Sequence, residues 1–123
     1  MNTLSKKTLI IGASENPERY ANMAAHRLIA KGHPIVNIGK KTGTVAGLPI
    51  HTEKKYFADI HTVALYINPT HQQEWYDYIL QLKPKRLIFN PGTENPELAQ
   101  LASQQGIEVI EACTLVLLSI GSY

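Results

Sequence analysis

Cysteine is nearly missing from this chain: Cys113 is the only one. An intramolecular disulfide is thereby excluded, and with it the small stapled folds of secreted domains. A cytoplasmic, reducing setting is the expectation. Long apolar runs are missing too, and Leu115 to Leu118 falls far short of a membrane span. The polar stretch Met1 to Lys7 leads into no apolar segment of the signal-peptide kind, so no such peptide is expected. Excess charge is lacking: the formal net charge is +2 with histidine neutral. That is too little for the basic footprint of a nucleic-acid binder. The five histidines do not recur at a ligand spacing such as H-x-x-x-H, and no Ser/His/acid set stands in the loops. Neither a metal centre nor a catalytic residue is expected.

What is present is an ordinary globular mix. Of 123 residues, 44% are hydrophobic and 18% charged. A chain of this length buries roughly two-thirds of its unfolded surface, which suffices for one core. A single domain over residues 1–123 is expected. Short β-branched runs alternate with longer amphipathic stretches. Strands are expected at Thr8 to Ile11, Pro34 to Ile38, Thr62 to Ile67, Arg86 to Phe89 and Ile107 to Ile110, with a short edge strand in Val45 to His51. The first helix carries Ala21, Ala24, Ala25, Leu28 and Ile29 and ends at Gly32; its start lies either at Pro17, capped by Asn16, or nearer Tyr20. Thr70 with Gln73 reads as a capping box ahead of a helix with the stripe Trp75, Tyr78, Ile79 and Leu82. Another helix spans about Pro96 to Gln105, whereas periodicity leaves Leu115 to Ile120 open between helix and strand. Such alternation predicts a Rossmann-like α/β three-layer sandwich, with a mostly parallel central sheet of about five strands.

In open α/β sheets ligands bind outside the carboxyl ends of the strands. Four loops follow strands there, and their Gly, Pro, Asn, Ser and Thr content also fits plain turn chemistry. The first, Gly12-Ala13-Ser14, joins a buried strand to a helix, where backbone N–H groups can meet a phosphate. The dinucleotide fingerprint G-x-G-x-x-G fails, because Ser14 and Pro17 occupy its second and third glycine positions. The acid that normally holds a ribose at the end of the second strand is missing as well; Gly39-Lys40-Lys41 stands there. Two ammonium groups favour a phosphorylated ribose, the 3′-phosphate of coenzyme A or the 2′-phosphate of NADP, unless they are only a solvated turn. Glu94 and Glu97 pair no further than a helix N-terminus attracts acids. Cys113 reads as a small buried hydrophobe, with a thiol redox sensor as the alternative.

Gly12-Ala13-Ser14 with Asn16-Pro17-Glu18-Arg19-Tyr20, then Asn68-Pro69, Phe89-Asn90-Pro91-Gly92-Thr93-Glu94-Asn95-Pro96 and Ala112-Cys113-Thr114-Leu115, together resemble one family. It is that of the small stand-alone CoA-binding proteins, similar to the N-terminal domain of the succinyl-CoA synthetase α subunit. The resemblance runs from about Thr8 to Tyr123. It implies CoA or an acyl-CoA lying across the carboxyl ends of the strands, with no chemistry done on it. Gly12, Ala13, Ser14 and Arg19 would face phosphates, and Lys41, helped by Lys40, the nucleotide phosphate. Ile67, Asn68 and Pro69 would line the middle of the groove, with Asn90, Pro91 and Gly92 further along. Two positions depart from the family pattern. Ile38-Gly39 replaces an Asn-Pro after the second strand, and Ala21-Asn22-Met23 replaces a lysine.

Overall fold

The computed structural model describes residues 5–123. Seven strands form one sheet: Thr8–Ile11 (β1), Ile35–Ile38 (β2), Gly43–Val45 (β3), Leu48–His51 (β4), Thr62–Leu65 (β5), Arg86–Phe89 (β6) and Glu108–Glu111 (β7). Their order is β3-β4-β2-β1-β5-β6-β7. Each pairing is parallel except that of β3 with β4. The sheet is thus wider than the expected five strands. The difference lies in Val45 to His51, expected as one edge strand and found as part of a hairpin. Ala46 and Gly47 both take positive φ, 53° and 79°, which is the backbone of a tight two-residue turn. Alanine in that turn gives no sequence signal. Pro49 is accommodated because the pairing of β4 with β2 begins one residue later, at Ile50.

Among the described residues four helices cover the sheet: Tyr20–Ala30 (α1), Tyr76–Leu82 (α2), Pro96–Gln104 (α3) and Thr114–Ser119 (α4). Strand side chains alternate between the two faces. Leu9, Ile11, Leu87 and Phe89 join the core beneath α2 and α3, with Ile79, Leu82, Leu98 and Ala102. Ile10 and Ile88 face the other way, onto Ala21, Ala25 and Leu28 of α1 and Leu118 of α4. The stretch left open by periodicity is therefore helical, and it closes the second face.

Local chemistry sets the helix ends. Asn16 does not cap α1. Its Oδ1 accepts the Glu18 N–H at 3.0 Å in a turn of its own, and α1 starts at Tyr20 with no side-chain cap. Thr70 does not cap α2 either. Asn68 Oδ1 accepts the Thr70 N–H at 3.0 Å and opens two 3-10 turns, Pro69–His71 and Gln73–Trp75, ahead of the helix. Asn95 caps α3, its Oδ1 accepting from Glu97 and Leu98 N–H. Pro96 occupies the first turn, where its missing N–H is harmless.

At the amino end of the sheet a polar cluster ties the C-terminal residue to three strand starts. Arg86 donates from Nε to Thr62 Oγ1 at 3.0 Å and from Nη1 to the Tyr123 carbonyl at 2.6 Å. Its guanidinium lies over the Tyr123 ring at 4.3 Å. Lys6 Nζ donates to the same carbonyl, and the Tyr123 hydroxyl meets Thr8 Oγ1.

Candidate functional site

The strand order reverses at β1. From there the chain runs outward through β2 and the hairpin, then returns to β5 on the other side of β1. That switch point, between β1 and β5, is where an open α/β sheet leaves a crevice. A groove of about 870 Å³ lies there, within the size range of small-molecule sites. It is walled by the loops that follow β1, β2, β5 and β6.

The floor is made by close backbone approach. Gly12 turns at φ +102°, and a Cβ on it would sit 2.8 Å from the Tyr66 carbonyl oxygen. A Cβ on Gly39 would overlap the Ala13 carbonyl oxygen. Glycine at both positions lets the ends of β1, β2 and β5 converge. The convergence has a consequence for the donors. The N–H groups of Gly12 and Ala13 both donate to the Ile38 carbonyl, at 2.9 and 2.8 Å. They hold the loop to β2 instead of standing free for a phosphate, which corrects the simplest reading of this loop. Ser14 Oγ accepts the Asn16 N–H at 3.1 Å, which leaves its own O–H to donate, and the Ser14 carbonyl accepts from Asn22 Nδ2. The uncapped first turn of α1 does face the groove, through Tyr20 and Ala21.

Of the residues expected at a site, Gly12, Ala13, Ser14, Arg19, Lys40, Lys41, Ile67, Asn68 and Pro91 line the groove together. Arg19, Lys40 and Lys41 are exposed there. Three others stand apart from the lining. Asn90 is 2% exposed and clamps the fold: Nδ2 donates to the Leu65 carbonyl and Oδ1 accepts the Thr114 N–H at 2.8 Å. Gly92 donates its N–H to Glu94 Oε1, and Pro69 sits exposed in a 3-10 turn.

Sequence reading missed Glu15, Thr42, Ile50, Tyr66, His71 and Thr93, which also line the groove. Ile50 arrives through the unforeseen hairpin. Tyr66 was placed inside a strand that in fact ends at Leu65. Its hydroxyl is buried without a hydrogen-bond partner, as is Thr114 Oγ1. Burial pushes the Tyr66 phenol well above its ordinary range, so this wall stays uncharged. Cys113 is half-buried at the cap position of α4, where burial was expected to be greater. Glu94 and Glu97 do not act as a pair. Glu94 receives the Gly92 N–H, and Glu97 accepts the Tyr76 hydroxyl at 3.0 Å. Among the described residues no three His, Cys, Asp or Glu gather as a metal would need. None of the described helices is long and apolar enough to cross a membrane.

A Rossmann-like sheet with a groove at its switch point, lined by Arg19, Lys40 and Lys41 as well as by Glu15 and Glu18, defines a nucleotide-binding class of domain. Comparison with known proteins narrows the class: the chain belongs to the CoA-binding domain family, whose sequence model matches residues 6–119. It is similar to an uncharacterized protein of known crystal structure, at 51% identity and a TM-score of 0.95, covering 97% of this chain and 98% of that one. A hypothetical protein from Pyrococcus horikoshii OT3 is 25% identical with a TM-score of 0.84, over 93% of this chain and 82% of that one. A Thermus thermophilus protein shares the fold at 18% identity and a TM-score of 0.83, over 97% and 91% of the two chains. No curated protein matches.

Proposed function

We propose that this chain binds CoA or an acyl-CoA across the carboxyl ends of its strands, and presents it to another component without chemistry on the ligand. One observation carries the reading: the groove at the switch point gathers Arg19, Lys40 and Lys41 beside an uncapped helix start. A ligand with several phosphates answers that arrangement. Ser14 and Arg19 serve the pyrophosphate, above a floor formed by Gly12 and Ala13. Lys41, helped by Lys40, serves the ribose phosphate. Ile67 and Asn68 follow the ligand along the middle of the groove and Pro91 lies further along, while Pro69, Asn90 and Gly92, off the lining, hold the loops that carry them. Membership of the CoA-binding family supports the ligand class. The proposed setting is cytoplasmic, where CoA is at hand.

Calorimetric titration with CoA, 3′-dephospho-CoA, NADP and NAD tests the reading. CoA is expected to bind most tightly, and dephospho-CoA about tenfold or more weaker, since a well-made contact to a charged group is worth about 1.5–3 kcal/mol. Lys41→Ala should shrink that preference. Tighter binding of NADP or NAD than of CoA would reject the proposal in favour of a dinucleotide site.

A further inference from the structure

The acid that Rossmann domains normally carry at the end of the second strand is missing from β2, yet a carboxylate reaches that region from elsewhere. Glu15 belongs to the loop after β1. Its Oε2 accepts the Thr44 N–H at 2.9 Å, which fixes the carboxylate against β3. The absence of a side chain at Gly43 makes room for it: a Cβ there would sit 2.6 and 2.7 Å from the two carboxylate oxygens. Lys40, Lys41 and Thr42, the residues just ahead of Gly43, line the same groove as Glu15. A held anion and a cation pair thus line the same groove, both at the chain between β2 and β3.

These two signs ask different things of a ligand. The ammonium groups attract a phosphate. A carboxylate repels a phosphate and accepts a hydrogen bond from a hydroxyl. A ribose with a phosphate on one carbon and a free hydroxyl on the next satisfies both. We propose that Glu15 is a specificity-determining residue that accepts the free ribose hydroxyl beside the phosphate held by Lys40 and Lys41. In CoA that hydroxyl is the 2′-OH. The inference rests on the CoA reading above and deepens it. It also leaves the preference for a phosphorylated ribose to the lysine pair, because an acid that could hold a bare ribose is present after all.

The probes are adenosine 3′,5′-bisphosphate and its 2′-deoxy analogue, titrated by calorimetry. The wild-type chain should prefer the ribo form by about tenfold, the factor a charge-assisted hydrogen bond commands at its lower end. Glu15→Ala should bring the ratio to about one. Glu15→Gln keeps an acceptor for the Thr44 N–H, so the loop stays in place, and the ratio should fall between the two. If Glu15 only braces the loop, both probes weaken together and the ratio stands, which overturns the inference. A wild-type ratio of one, with CoA still bound, overturns it as well and leaves the CoA reading intact. Failure of CoA and both bisphosphates to bind the wild type would bring down the two readings together.

Discussion

At Gly12 two demands meet in one residue. The backbone stands at φ +102°, and the space a Cβ would take is filled by the Tyr66 backbone, with O at 2.8 Å and C at 2.9 Å. Positive φ alone burdens an L-residue by roughly 1–2 kcal/mol, and crowding against a packed backbone adds a similar amount. Gly92 supplies the control. It has φ +90°, but nothing lies within 4 Å of its Cβ position. Gly12→Val should therefore destabilise by roughly 3 kcal/mol, and Gly92→Ala by only about 1 kcal/mol. Urea unfolding of the two variants reads the difference directly. Equal losses would mean that the Tyr66 carbonyl yields easily and the groove floor is soft. Gly12→Val protein that still folds should fail to bind CoA, because the floor has to shift to admit the side chain.

Among the elements, the connection from β5 to α2 is held by a residue the sequence hides. Gln72 is fully buried between the two 3-10 turns. Its Nε2 donates to the Ile67 carbonyl at 2.9 Å and the Thr93 carbonyl at 2.7 Å, and its Oε1 accepts from Asn95 Nδ2 at 3.0 Å. One side chain thus joins the loop after β5 to the loop after β6, two walls of the groove. Gln72→Ala leaves the buried Thr93 carbonyl and the part-buried Ile67 carbonyl without their donor, while Asn95 Nδ2 keeps the Tyr76 hydroxyl, a loss of about 2 kcal/mol. It should also weaken CoA binding, whereas Gln73→Ala, an exposed neighbour, should change neither. Denaturation and calorimetry on the pair check this. The sequence pointed to Gln73 because Thr70 and Gln73 have capping-box spacing. Asn68 wins instead by closing its turn two residues on, which redirects the chain before a capping box can form. The strands β1, β2, β5 and β6 were legible because buried parallel strands read as short apolar runs between breakers, and the edge strand β7 showed through its Val109-Ile110 pair. The hairpin was not, since Ala46-Gly47 lacks the usual turn signature.

On the scale of the molecule, the groove was legible where the hydrogen bonding of its lining was not. The carboxyl-edge rule and the family resemblance placed Gly12, Lys41 and Asn68 on one groove before any contact was known. Which N–H groups remain free depended on pairings that distance in sequence conceals, such as Ala13 with Ile38. The opposite edge of the sheet is closed by the cluster around Arg86 and Tyr123, and there the chain carries a pH dependence. His33 is buried, packs at a tilt against the Tyr123 ring, and accepts the Lys6 N–H through Nδ1 at 2.9 Å. An accepting Nδ1 means a neutral ring. Burial first, then Lys6 and Arg86, lower the His33 pKa from its ordinary 6.5. The His61 pKa is lowered chiefly by burial, with Arg86, Lys6 and Lys85 adding to it against Glu108. Both groups are therefore more acidic folded than unfolded. Their contribution to stability is complete above pH 6.5, where the rings are neutral in either state. As the pH falls below that value the unfolded chain takes up protons that the folded chain refuses, so stability declines until the lowered folded pKa values are passed. Urea midpoints between about pH 7.5 and 5.5 should fall with acid, and the double replacement His33→Gln with His61→Gln should flatten the slope over that window. A wild-type midpoint that holds constant through the same window would show that these rings titrate alike folded and unfolded, and that the cluster tolerates the charge its geometry argues against.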